Sequence, residues 1–230
     1  MELLGRCSSG TTILYDEDFM ASYLITGVAG FIGSTLARAV LAQGQDVVGF
    51  DDFSTGKHEN LAGVLDRIEF HEADLLDLDA LHQACRGADY VFHEAAIPSV
   101  PQSVKDPLGN NQANADGTLN LLVSARDAKV KRVVYAASSS VYGDTPTLPN
   151  REDMLPNPIS PYATAKLASE YYMTSFLPLL WSGDGVPALL QCLRSTPRPG
   201  FAVLGSAGQV HHANAGGRAA NDFWRRKTEP

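Results

Sequence analysis

The chain has 230 residues, 44% of them apolar and 19% charged, with a net charge of −8; it can bury a sizeable core as one large or two small domains. The acidic balance argues against nucleic acid or an anionic membrane as the main partner, and no run approaches the ~18 apolar residues that a membrane span needs. Three scattered cysteines (Cys7, Cys85, Cys192) and the lone pair His211–His212 exclude a disulfide framework and give no metal-ligand spacing, so a reducing cytoplasm is the expected compartment.

Residues 1–19 lack the basic start, apolar middle and small-residue cleavage site of a signal peptide. Met20 directly precedes "ASYLIT" and has the position of a natural start. Residues 1–19 are therefore expected to be an upstream extension, a genuine N-terminal arm being the alternative.

From there the pattern alternates. "SYLIT" (22–26) predicts a strand that runs into "GVAGFIG", and "STLARAVLAQG" has helical spacing with a glycine stop. "DVVGFDD" (46–52) and "RIEFHEAD" (67–74) predict the next two strands, and "LLDLDALHQACRG" a helix between the third strand and the fourth, "ADYVFHEAA" (88–96). One long helical segment is expected from Asp106 to Val130, then a strand in "KRVVYAASSS" (131–140), and last a helix in "PYATAKLASEYYMTSF" (161–176) with proline in its first turn. Alternating strands and helices predict an α/β fold with a Rossmann-type, doubly wound parallel sheet.

Gly27, Gly30 and Gly33 fall where the first strand becomes the first helix. That context suits a phosphate cradle: the turn brings backbone close, and the helix start offers free N–H groups to a pyrophosphate. Asp51 ends the second strand, where a carboxylate accepts hydrogen bonds from an adenosine ribose and repels a 2′-phosphate, which favours NAD over NADP. Asp74 ends the third strand, where the adenine edge would lie.

Tyr162 and Lys166, four apart, share one helix face. A phenol of pKa ~10 is a poor base, and a neighbouring ammonium together with a nicotinamide ring would lower that value. The hydroxyls of Ser138, Ser139 and Ser140, at the expected exit of the fifth strand, can hold a substrate oxygen beside the tyrosine.

Taken together, "TGVAGFIG", "VVGFDDFSTGK", "EADLLD", "HEAAIPSVPQSVKDP", "NADGTLNLL", "YAASSSVYGD" and "SPYATAKLASEYY" resemble the extended short-chain dehydrogenase/reductase family, and within it the nucleotide-sugar 4-epimerases. They cover residues 20–176 in family order. The resemblance implies an NAD site built from Gly27, Gly30, Phe31, Ile32, Gly33, Asp51, Asp52, Asp74, Leu75, Ala95, Ala96, Asn114, Tyr162 and Lys166. It implies a UDP-sugar held by Ser99, Ser138, Ser139, Ser140 and Tyr162. Tyr162 would take the O4 proton while C4 gives hydride to NAD, and the 4-keto sugar would turn over and receive the hydride on its other face. Lys166 would hold the nicotinamide ribose, and Ser138 would contact the sugar 4-hydroxyl. Asp52 departs from the usual asparagine. Ser140 stands where related dehydratases and decarboxylases carry an acid, which favours a plain epimerase. A cofactor-sensing relative would be expected to lose the Tyr–Lys pair. The family also implies a homodimer through the long helix and the Tyr162 helix.

Composition breaks after Phe176. Residues 1–176 hold 23 acidic and 12 basic residues, whereas residues 177–230 hold three and six, together with Trp181 and Trp224. The family would continue with a strand like "LRYFNVFGPRQDP" and then a sugar-binding domain. Permitted codons for "PALLQCLRSTPRPG", read in a frame displaced by one base, spell that strand. The same displaced frame gives "YRSYGLETVSL" just after Phe176. Residues 177–230 are therefore expected to be out-of-frame and largely disordered, with the substrate domain missing. "PALLQCL" (187–193) is expected as a substitute partner for the fifth strand. An NAD-binding remnant without turnover is the second reading.

Overall fold

The computed structural model describes residues 20–145, 150, 154–180 and 191–192. Among these, strands β1 (Ser22–Thr26), β2 (Asp46–Asp51), β3 (Glu69–Glu72), β4 (Tyr90–His93), β5 (Arg132–Tyr135) and β6 (Gln191–Cys192) form one sheet in the order β3-β2-β1-β4-β5-β6. Every pairing is parallel. The doubly wound expectation holds, and the order reverses between β1 and β4.

Side chains alternate across the sheet, so each strand supplies both faces. Leu24, Val48, Phe50, Val91, Val133 and Tyr135 pack under helices α2 (Leu78–Cys85), α5 (Gly117–Asp127) and α6 (Pro161–Leu180). Ile25, Val28 and Val47 pack on the other face with Ala37 and Val40 of helix α1 (Phe31–Ala42). Burial on both faces is what a parallel sheet requires. The register brings Thr26 level with His93, and His93 level with Tyr135, so the strand ends that carry the site lie side by side.

Several elements are shorter than their sequence pattern. The segment expected as one helix over 106–130 divides into α4 (Pro107–Asn111), a π-helical turn (Gln112–Asp116) and α5. It is preceded by an unexpected helix, α3 (Val100–Lys105). Local capping makes these breaks. Ser99 accepts from Gln102 N–H at 3.2 Å, and Asp106 from Gly109 N–H at 3.0 Å, so each starts a new helix. β5 ends at Tyr135, and Ser139–Tyr142 forms a 3₁₀ turn rather than strand. α6 continues past Phe176 to Leu180.

β6 pairs Gln191 with Val134 and Cys192 with Tyr135, within the stretch expected to cover the β5 edge. Residues 1–19, expected as an upstream extension, and residues 181–190 and 193–230 of the segment expected to be out of frame lie outside the described residues. No helix among the described residues is long and apolar enough to cross a membrane.

Candidate active site at the carboxyl ends of the strands

β1 delivers the chain into a turn that only glycine tolerates at two points. Gly27 has φ 69° and donates to Phe50 O at 2.8 Å; a Cβ there would lie 2.6 Å from Ala95 N. A Cβ on Gly33 would overlap the Gly27 carbonyl. Gly30 begins α1 with no side-chain cap, and no acid occupies the first turn. The orphan N–H groups and the positive helix end are thus left for an anion. Phe31 and Ile32 stand on that first turn, both exposed. A cradle closed to any Cβ, at an uncapped helix start, fits the pyrophosphate of a dinucleotide.

Asp51 is buried, and its carboxylate accepts from Ala29 N–H at 2.9 Å and Phe53 N–H at 2.8 Å. Burial raises its pKa, and the two backbone bonds pull it back. Asp52 accepts from Ser54 N–H at 2.9 Å, and Asp74 from Leu76 N–H at 2.9 Å, each closing a tight turn. Leu75 packs against Gly117, and its carbonyl accepts from Asn120 at 3.1 Å.

Beyond β4, Ala95 and Ala96 continue into Ile97, whose N–H and C=O are both held by the buried Asn114 amide, at 3.0 and 3.3 Å. The backbone next to the alanines is thereby pinned to the π turn.

Ser138 hydrogen-bonds the buried Tyr162 phenol, and its hydroxyl lies 2.8 Å from that of Ser140. One helical turn on, Lys166 donates to Ala136 O at 3.0 Å with its ammonium 4.6 Å from the Tyr135 ring centroid. Burial raises the Tyr162 pKa, and the Ser138 bond lowers it. The Lys166 ammonium is turned towards the Ala136 carbonyl and the Tyr135 ring. An open cavity of about 690 Å³ is lined by Ser138, Ser139, Ser140, Gly143, Asp144, Thr145 and Asn150. Ser99 makes a local contact instead, as the cap of α3.

The sequence model of the NAD dependent epimerase/dehydratase family matches residues 23–177. The chain belongs to this family. The family's UDP-glucose 4-epimerase from Mycolicibacterium smegmatis is 46% identical over 157 residues, which are 66% of this chain and 50% of that protein. Among solved family structures, a UDP-N-acetylglucosamine 4-epimerase from Methanobrevibacter ruminantium superposes with TM-score 0.69 at 36% identity, covering 76% of this chain and 54% of that one. The Thermus thermophilus UDP-glucose 4-epimerase, a complex with NAD, gives 0.67 at 35% identity, covering 75% and 54%. The chain therefore spans about half the length of these relatives.

Sequence reasoning missed a polar group behind this site. His93, Thr26, Thr118 and Ser169 are fully buried and bonded to one another, and Glu94 has a buried carboxylate oxygen without a hydrogen-bond partner. Val91 and His93 alternate into the same face of β4, which was the available signal.

Proposed function

We propose that this chain carries the NAD-binding half of a UDP-sugar 4-epimerase, and with it the proton-transfer group of that enzyme. The observation that carries the reading is the hydrogen bond between Tyr162 and Ser138, a residue that also lines the serine-rich cavity, with Lys166 one turn further on the Tyr162 helix. The names of the relatives point to the same chemistry.

The residue roles are those that the family resemblance implies, and the positions of these residues at the carboxyl ends of the strands support them. The Gly27–Gly33 turn and the α1 N-terminus hold the NAD pyrophosphate, beside Phe31 and Ile32; Asp51 takes the adenosine ribose, with Asp52 next to it. Asp74 and Leu75 border the adenine, and Ala95, Ala96 and Asn114 form the channel wall. NAD held by these residues would supply reversible hydride-acceptor chemistry at the sugar. Tyr162 accepts the O4 proton, Ser138 fixes that oxygen, and Lys166 holds the nicotinamide ribose. Ser139 and Ser140 line the cavity that receives the sugar, while Ser99 serves that end through its cap on α3. Ser140 gives no acid for dehydration or decarboxylation, which separates the reading from those reactions.

The second reading is an NAD-binding remnant without turnover. It is favoured by the change of composition after Phe176, beside the end of the family match at residue 177, and by β6, whose described residues pair with β5 at two positions. A one-base displacement after Phe176 accounts for both, and sequencing the DNA across codons 170–185 tests it: a single intact frame encoding the tail would refute it. The purified chain and a frame-restored version, assayed with UDP-glucose and UDP-N-acetylglucosamine, separate the readings. We expect NAD bound by both and epimerisation by the restored chain alone. Comparable turnover in the two would establish activity without the second half, and absence of NAD from both would remove the cofactor assignment.

A homodimer is part of the proposal. α3, α4 and α6 expose Val104 (65%), Leu108 (77%) and Tyr171 (61%), apolar surface that a second copy would cover. The buried, unpaired Cys85 suits the cytoplasm.

A further inference from the structure

Behind the proposed NAD site a line of hydrogen bonds crosses the interior, and its proton directions follow from chemistry. The Thr118 hydroxyl lies 2.6 Å from Asn114 O. A carbonyl only accepts, so Thr118 spends its one proton there. The contact of 2.9 Å between His93 Nε2 and Thr118 Oγ must then be donated by the imidazole. His93 Nδ1, 2.7 Å from Thr26 Oγ, is left to accept from that hydroxyl, whose oxygen faces the Ala95 N–H at 3.4 Å. Ser169, on α6 just past Lys166, donates to Asn114 O at 2.9 Å or Ala165 O at 3.0 Å.

The line joins the last residue before the glycine turn, the alanine wall, the π turn and the helix that carries Lys166. The imidazole is 1% exposed. The groups facing it are Thr26 on β1, the Tyr135 ring of β5 at 5.5 Å, Thr118 on α5 and the Lys166 charge on α6, with the Glu94 carboxyl as its chain neighbour. A second ring proton would meet a hydroxyl already committed as donor, beside a positive charge. Burial and Lys166 accordingly push the His93 pKa down to about 3.

We propose that His93 is a positioning residue: held as the neutral Nε2–H tautomer between Thr26 and Thr118, it fixes the spacing between the glycine turn and the α6 turn that bears Lys166. The effect on NAD rests on the cofactor reading above; the tautomer and the spacing do not. A fixed, single tautomer differs from simple filling of the core, because an apolar residue of similar size would break the line. Glutamine, whose amide nitrogen reaches the Nε2 position, would restore the donation to Thr118.

The test uses the whole chain in three forms: wild type, His93→Gln and His93→Leu. Two-bond proton–nitrogen spectra of histidine-labelled wild type, recorded from pH 5 to 8, should show one imidazole locked as the Nε2–H form while other histidines titrate. Hydrogen exchange should show the 95–97 and 165–170 amides opening at least tenfold faster in His93→Leu, and within threefold of wild type in His93→Gln. NAD affinity should follow, at least tenfold weaker in the leucine variant and restored by glutamine. A His93 that titrates between pH 5 and 8, or carries its proton on Nδ1, would overturn the proposal, as would exchange rates in His93→Leu equal to wild type. Should wild type itself fail to bind NAD, the cofactor reading falls, while the spectra and exchange rates still decide the role of His93. If the leucine variant does not fold, Thr118→Val removes the same link from the other side and is read by the same two measurements.

Discussion

The Asp51 carboxylate accepts the Ala29 amide at 2.9 Å, so the end of β2 is bonded directly into the glycine turn that follows β1. Its other oxygen accepts Phe53 N–H at 2.8 Å. Both oxygens are thus committed to N–H donors before any ribose arrives, and a carboxylate, which only accepts, is the group that serves both. In Asp51→Asn one oxygen becomes an NH₂ that must face an N–H whichever way the amide is turned. The expected cost is about 1–3 kcal/mol of stability, read as a lower urea midpoint. NAD affinity should fall at least tenfold on the proposed ribose role. Unchanged stability would mean that the two backbone bonds are replaceable by water.

Two glycine substitutions should separate close packing from backbone conformation. A Cβ on Gly33 overlaps the Gly27 carbonyl, and both partners are backbone, so nothing can rotate away. Gly33→Ala should cost about 3 kcal/mol and abolish NAD binding. Gly44 has φ 73° but open space around a Cβ. Gly44→Ala should cost only the left-handed strain of about 1–2 kcal/mol and leave NAD binding intact. Urea unfolding and NAD titration of the two variants provide the comparison, and equal effects on NAD would contradict the cradle.

The Ser138–Tyr162 bond has a readout that needs no substrate. Burial holds the phenol above its ordinary pKa, and the serine opposes this. Ser138→Ala removes the opposing group, so the Tyr162 pKa should move further up. Ultraviolet titration of tyrosinate, taken as the difference between Ser138→Ala and Ser138→Ala/Tyr162→Phe, isolates that one group against the same difference in wild type. A downward shift would show that Ser138 does not stabilise the phenolate.

These residues differ in how far the sequence could place them. The glycine turn and Asp51 were legible because strand-to-helix periodicity fixes where a parallel strand ends, and function lies at that end. Tyr162 and Lys166 were legible as a pair, since helical spacing puts them on one face. Their electrostatics were not. The direction of the Lys166 ammonium depends on Ala136 and Tyr135, thirty residues away in sequence, and spacing within one helix says nothing about that. The breaks at Ser99 and Asp106 carried cap residues, but the apolar pattern running through them read as one helix. His93 was the hardest case, because a buried histidine looks like any polar residue in a strand until its partners on β1 and α5 are known.

Opposed ionisations of neighbouring residues should shape stability against pH. Glu94 has its pKa pushed up to about 7, mainly by burial, with Lys166 pulling it down. The folded state therefore keeps a proton that the unfolded state releases from its ordinary value of 4.5 upward. Stability from this group falls as pH rises from about 4.5 to about 7, by about 1.4 kcal/mol per pH unit. His93, pushed down to about 3, gives the opposite sign: the unfolded state gains a proton below 6.5 that the folded state refuses. Its contribution falls as pH drops from about 6.5 towards 3, with the same slope. Between pH 4.5 and 6.5 the two slopes cancel. Glu94→Gln removes only the first, so the variant's stability relative to wild type should climb by about 1.4 kcal/mol per pH unit across that window and level off above pH 7. Urea unfolding of both proteins at pH 5, 6, 7 and 8 measures this difference. A difference independent of pH would show that the Glu94 carboxyl ionises alike in the folded and unfolded chain.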